Sequence, residues 1–322
     1  MVVRLFPLAM DWDGSIVAQP ELCARLGIIV PLRTEGESLR VWADKGRLLD
    51  VFNRWSFLHE QYRAPWVTFL GSGDYHHMTL TLLESLPVDQ RPTTLVVVDN
   101  HPDWFLESPP YHCGNWVGTA LKTLGWLKQV ILIGMNSDDL RGYRFWRAPW
   151  DDLCRGRLLI YPYRLSKVKI PLRRCPAGIS SVSARKIWMG MEWSFPTLVS
   201  RGVTQTFQDL AETLQGESIY LSIDKDCLRR DQLVTDWEQG GLDTDELLAG
   251  VRQISANVRL CGVDICGEMA TRPLRNWAKR LDTGRWFAAG VRRPMAQDYT
   301  AHEQMNLALL DALGAGYQEP DL

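Results

Sequence analysis

Five side chains able to ligate a metal stand just past two apolar runs. Leu95-Val96-Val97-Val98 leads into Asp99-Asn100-His101-Pro102-Asp103, and Ile219-Tyr220-Leu221-Ser222-Ile223 leads into Asp224-Lys225-Asp226. Residues i, i+2 and i+4 of a strand point to the same side. Asp99, His101 and Asp103 therefore share one direction, as do Asp224 and Asp226, and both sets can meet in one crevice. Hard oxygen donors with one or two imidazoles suit Mn²⁺, Mg²⁺ or Fe²⁺ better than thiophilic metals. A single Asp-x-Asp is more often a turn or a helix cap. Two clusters of the same ligand types say more, because gathered carboxylates repel one another and call for a cation.

Such side chains need strands to aim them. Apolar runs with strand character recur at Trp66 to Leu70, Leu95 to Val98, Val130 to Ile133, Ile219 to Ile223 and Val258 to Val263. Helical patterns lie between several of them. Trp116 to Leu127 is one. Thr244 to Ile254 is another, with Leu247, Leu248, Val251 and Ile254 on one face and Asp243 and Glu246 at capping-box spacing. Thr300 and Glu303 repeat that spacing before Met305 to Leu313. Alternating strands and helices predict an α/β fold of three layers, a mostly parallel sheet with helices on both faces. Ligands bind such sheets at the carboxyl ends of the strands, where the polar motifs sit.

The chain of 322 residues is 46% hydrophobic and 23% charged, with a net charge of −2. That length allows one large core, read as a single domain over residues 1–322. The near-neutral balance gives no sign of a polyanionic partner. Seven dispersed cysteines without a Cys-x-x-Cys pair suit reduced thiols. With no signal-peptide pattern and no run of membrane-spanning length, the expectation is a cytoplasmic protein with no membrane partner. Arg141 to Lys186 differs from the rest: it holds twelve Lys or Arg against Asp151 and Asp152. It reads as a basic insertion or lid over the sheet edge, or more plainly as a solvated basic face.

The polar strand-end motifs follow in order: Gly73-Asp74-Tyr75-His76-His77, Asp99-x-His101-x-Asp103, His112, Ser222-x-Asp224-x-Asp226, Gly240-Gly241-Leu242 and Glu268. This order resembles that of the arginase/agmatinase (ureohydrolase) family over about residues 66 to 268. The resemblance implies an arginase-like fold and a hydrolase with two Mn²⁺ per chain. A metal-bridging hydroxide would cleave a guanidino C–N bond and release urea. Carried over residue by residue, one metal would take His76, Asp99, Asp103 and Asp224. The other would take His101, Asp99, Asp224 and Asp226. Asp103 would also orient the nucleophile, His112 would carry a proton to the leaving amine, and Glu268 would hold the cationic substrate head.

The sequence departs from that pattern in places. An extra residue separates Gly73-Asp74 from the histidines, so His76 is favoured as ligand with His77 as its rival. Gly267 is inserted before Glu268. The short stretch Trp104 to Tyr111, with Pro109-Pro110, replaces the polar loop that in arginase binds the amino acid head group. The expected substrate is therefore another guanidino small molecule or an arginine-containing peptide rather than free arginine. Assembly as a homo-oligomer is left open. Trp104, Trp116 and Trp237 are candidates for an aromatic wall against a guanidinium. Cys113, Cys227 and Cys266 read as small packing residues, with a thiolate-ligand role as the lesser alternative. His59 and His302 belong to no cluster.

Two other readings compete. Asp11-Trp12-Asp13-Gly14-Ser15 follows an apolar run and resembles the nucleophile motif of haloacid-dehalogenase-type phosphatases, with Asp11 as nucleophile and Asp13 as acid/base. A non-catalytic protein of ureohydrolase-like fold that binds metal or peptide, or RNA through the basic segment, is the other. Nucleic acid is the less expected partner.

Overall fold

Runs such as Leu95-Val96-Val97-Val98 have no polar side to give to water, so their strands must be covered on both faces. The computed structural model of the protein describes residues 5–62, 64–105, 109, 111–170, 181–188, 190–283 and 299–315. Its strands are β1 (Phe6–Asp11), β2 (Ile28–Pro31), β3 (Trp66–Ser72), β4 (Thr94–Val98), β5 (Gln129–Ile133), β6 (Leu158–Tyr161), β7 (Lys167–Ile170), β8 (Ser183–Ile187), β9 (Gly190–Ser194), β10 (Ser218–Asp224) and β11 (Arg259–Glu268). Eight of them form one sheet in the order β2-β1-β3-β11-β10-β4-β5-β6. Every pairing in it is parallel.

Alternate residues of the central strands enter opposite cores. Leu95, Val97, Val130 and Leu132 pack in one layer with Trp104 and Trp116. Val96, Val98, Ile131 and Ile133 pack in the other with Leu247, Val251 and Leu309. This is the three-layer α/β arrangement expected, and each such buried side chain contributes about 1.5–3 kcal/mol. The helix Thr244–Asn257 carries the expected capping box of Asp243 and Glu246. The helix Trp116–Thr123 stops short of Leu127, because the chain leaves helical geometry at Leu124, just before Gly125. The helix Thr300–Ala312 is not capped by Thr300. Glu303 instead accepts the Glu21 and Leu22 amides at 2.6 and 3.3 Å, closing the start of the helix Pro20–Arg25.

Among its described residues, the basic stretch is built into the sheet edge. It contains β6, which is that edge, and then β7 and β8, which flank β9 in a small antiparallel sheet. Lys167, Lys169, Arg185 and Lys186 there are exposed. Residues 171–180 of the stretch, and 106–108 and 110 of the shortened loop, lie outside the described residues. Among the described helices none is long and apolar enough to cross a membrane.

Candidate metal centre

The strands β3, β11, β10 and β4 are the four adjacent central strands, and their carboxyl ends carry the polar motifs. Parallel register fixes who meets whom. Ile223 pairs with Val98, so Asp224 emerges beside Asp99. On the other side Asp224 pairs with Cys266, and Ser222 with Asp264.

His76 enters from the turn after β3. Its Nδ1 lies 3.2 Å from Asp99 Oδ2, 3.3 Å from Asp103 Oδ2 and 3.5 Å from Asp224 Oδ2. Its Nε2 lies 2.9 Å from Ser222 Oγ, whose hydroxyl donates to Asp264 Oδ1 at 2.7 Å. Because Ser222 spends its proton on Asp264, it accepts from His76 Nε2–H. With Nε2 so engaged, Nδ1 is the nitrogen that would give its lone pair to a cation bound among the carboxylates. His77 is buried, and burial holds its pKa well below that of an ordinary histidine. Of the two histidines, His76 is the one brought to the carboxylates.

His101 Nδ1 stands 2.8 Å from Asp226 Oδ2 and 3.6 Å from Asp99 Oδ1. The two oxygens of Asp99 therefore face two different histidines. Main-chain amides hold the carboxylates in place: His101 N donates to Asp99 Oδ1 (2.6 Å), Asn100 N to Asp226 Oδ1 (3.1 Å) and Asp226 N to Asp224 Oδ1 (2.9 Å). Asp103 has a left-handed backbone, φ 45°, rare for a non-glycine residue. Its carbonyl is fixed by the amides of Val117 and Gly118, and its Oδ2 accepts Trp116 Nε1–H at 2.8 Å.

The charges are mutually unfavourable without cations. Burial, and then the neighbouring Asp99 charge, push Asp103 up to about 6. Burial with Asp224 and Asp99 raises Asp226 well above the carboxylate range. Burial also opposes ionisation of Asp99, but hydrogen bonds from His101 and His76 outweigh it and hold that carboxyl below its ordinary value. Bonds of about 2.0–2.2 Å to nitrogen and oxygen place two donors of one ion roughly 2.9–3.5 Å apart. The three separations around His76 Nδ1 fall in that range. Asp99 Oδ2 is buried and faces His76 Nδ1 at 3.2 Å, a separation that two ligands of one ion would keep. The donor set fits divalent cations on the His76 side and, with His101, Asp226 and Asp99, on the other.

A cavity of about 410 Å³ opens over these groups. His76, Asp99, His101, Asp103, Asp224 and Asp226 line it, with His112, Phe105 and Trp237 around them. Asp139, Arg144, Asp236 and Glu238 are charged lining residues that the motif order did not point to. Asp139 and Arg144 come from the short helical turns Asp138–Leu140 and Gly142–Phe145, Asp236 and Glu238 from a loop, and no local spacing marks them. Trp237 is in the wall as expected, and its Nε1 donates to Asp74 at 3.0 Å. Trp104 and Trp116 are fully buried in the core instead. His112 accepts the Gly114 amide on Nδ1 (2.8 Å) and lies 2.8 Å from Asp282 through Nε2. Both its nitrogens are engaged.

Glu268 does not face the cavity. Gly267, at φ 98°, breaks the β11–β3 register, and the chain bulges there. The bulge turns Glu268 to the opposite face, where it is fully buried and accepts Lys225 Nζ at 2.5 Å and Asn306 Nδ2 at 2.7 Å. The expected role at the substrate head is therefore corrected to a buried ion pair behind the site. Asp11 is likewise spoken for. It is paired with Arg33 Nε at 2.5 Å and accepts the Gly14 amide, while Asp13 accepts Ser15 N, and neither lines the cavity. His59 and His302 are buried helical residues.

The sequence matches the Arginase family over residues 58–272. An uncharacterized protein of Thermotoga maritima is 29% identical over 211 residues, a span of 66% of this chain and 60% of that protein. Among solved structures, arginase from Bacillus cereus superposes with a TM-score of 0.58 at 12% identity, covering 98% of this chain and 99% of that one. Formimidoylglutamase from Bacillus subtilis gives 0.57 at 14%, covering 97% and 88%. Proclavaminate amidino hydrolase from Streptomyces clavuligerus gives 0.53 at 15%, covering 97% and 92%. These likenesses agree with the parallel sheet and with ligand motifs that lie inside the matched segment: the chain belongs to the arginase family.

Proposed function

We propose that this protein is a metal-dependent hydrolase of a guanidino small molecule, releasing urea. The observation that carries the reading is the cluster of four carboxylates and two imidazoles at adjacent strand ends beneath a cavity of substrate size. His76, Asp99, Asp103 and Asp224 would hold one divalent cation, and His101, Asp99, Asp224 and Asp226 the other. Mn²⁺ suits so oxygen-rich a set. The pair of ions would supply a hydroxide nucleophile near neutral pH.

The chain's own groups account for the rest. Asp103, its Oδ2 fixed by Trp116 Nε1–H, would take a proton from the nucleophile and return it to the leaving nitrogen. His112, anchored by Asp282 and Gly114, lines the cavity and would move a proton only by giving up one of those contacts. With Glu268 turned away, a cationic head would be met by Asp236 and Glu238 beside the Trp237 ring. A cavity of about 410 Å³ favours a free guanidino compound over an arginine-containing peptide.

The test is urea release across free arginine, agmatine, guanidinobutyrate and an arginine-containing peptide, with Asp103→Asn beside the native protein. Turnover of a guanidino small molecule, abolished in Asp103→Asn, is expected. Turnover of phosphate esters that depends on Asp11, and none of guanidino compounds, would overturn the assignment.

A further inference from the structure

A thiol stands among the carboxylates. Cys266 is fully buried, and its Sγ donates to Asp224 Oδ2 at 3.1 Å. One donor atom each of His76, Asp224 and Cys266 lies within 4.8 Å of the others. The placement follows from register: Cys266 is the β11 residue paired with Asp224, and the bulge starting beside it adjusts its aim. We propose that Cys266 is a ligand of the cation held by His76 and Asp224, a single thiolate in a centre otherwise built of oxygen and nitrogen. The proposal rests on the metal-centre reading above.

Separation supports it. A sulfur at about 2.3 Å and an oxygen at about 2.0–2.2 Å from one ion lie roughly 3.1–3.6 Å apart at ordinary coordination angles. Sγ and Oδ2 are already at 3.1 Å. The ion takes the place of the thiol proton: the S–H bond breaks, the proton leaves to solvent, and the sulfur–metal bond forms. Asp224 Oδ2, released from the thiol, becomes a ligand in the same step. A packing role alone would need no polar partner, since a buried cysteine serves as a small hydrophobe. Here the sulfur is aimed at a carboxylate that the centre itself uses.

The consequence is selectivity. A thiolate raises the relative affinity of this position for Zn²⁺ or Co²⁺ over Mn²⁺. Two equivalents of Co²⁺ added to the metal-free protein should produce a thiolate-to-cobalt charge-transfer band in the near ultraviolet, with metal content measured on the same samples. Cys266→Ser should lose the band, keep bound cobalt, and lower the Zn²⁺-to-Mn²⁺ affinity ratio by about tenfold or more. Cys261→Ser, on the same strand but away from the site, should keep the band. X-ray absorption on the zinc-loaded native protein should find a sulfur scatterer, which keeps the test open if Cys266→Ser does not fold. Bound cobalt with no such band, or zinc with no sulfur neighbour, overturns the thiolate ligand and leaves the metal centre standing. Failure to bind cobalt or zinc at all overturns both.

Discussion

If Glu268 serves the fold rather than the substrate, its removal should behave as the breaking of a buried ion pair. Lys225 and Glu268 are both fully buried, 2.5 Å apart, and Asn306 bridges them by accepting from Nζ (2.9 Å) and donating to Oε1 (2.7 Å). Lys225→Met leaves a carboxylate in the core without its counter-charge, and Glu268→Gln leaves an ammonium. Each should cost about 3–5 kcal/mol. The double variant buries no charge. It loses hydrogen bonds of about 1 kcal/mol each and some packing, so its cost should be about 2–4 kcal/mol, well below the sum of the single changes. Urea unfolding of the metal-free protein measures all three without interference from ligand binding. Strict additivity would refute the pairing. Glu268→Gln that folds with native stability but raises KM for the guanidino substrate a hundredfold would return Glu268 to the substrate head.

Two further outcomes follow from neighbouring contacts. Trp116→Phe removes the indole N–H that fixes Asp103 Oδ2 at 2.8 Å while keeping an aromatic ring in the core. Activity or metal affinity should fall about 10–100-fold, and an unchanged enzyme would remove Trp116 from the account. His59 is buried with its ring stacked 3.6 Å from Trp66, and burial lowers its pKa to about 4. The unfolded chain takes up the proton below about pH 6.5 while the folded one refuses it, so stability is full above 6.5 and is lost as pH falls toward 4. By pH 4.5 that loss is about 2–3 kcal/mol. His59→Phe, compared with the native protein at pH 7 and 4.5, should lack it, and equal acid sensitivity would contradict the assignment.

The sheet and the gathering of carboxylates and histidines at its strand ends were legible because their signals are local. Apolar runs such as Leu95 to Val98 define strands buried on both faces, and period-two spacing after them aims Asp99, His101 and Asp103 together. What escaped depends on contacts between distant segments. Glu268 follows Asp264 and Cys266 in the period that would aim it at the site, and only the bulge at Gly267 turns it away. A Cβ at Gly267 would come 2.6 Å from Asp224 Oδ1, so that geometry needs glycine, but the close approach is visible only in three dimensions. Cys266 meets Asp224 through strand register, which no single segment encodes. Asp236 and Glu238 sit in a loop without periodicity. Charge in Arg141 to Lys186 drew attention from its apolar Leu158–Tyr161, which is a sheet strand.

The central claim is a pair of cations sharing Asp99 and Asp224, and metal content tests it most directly. Metal-free protein incubated with Mn²⁺ and freed of excess by gel filtration should carry about two ions per chain, and Asp224→Asn should carry at most one, weakly held. One tightly bound zinc per chain, unchanged by Asp224→Asn, would contradict it.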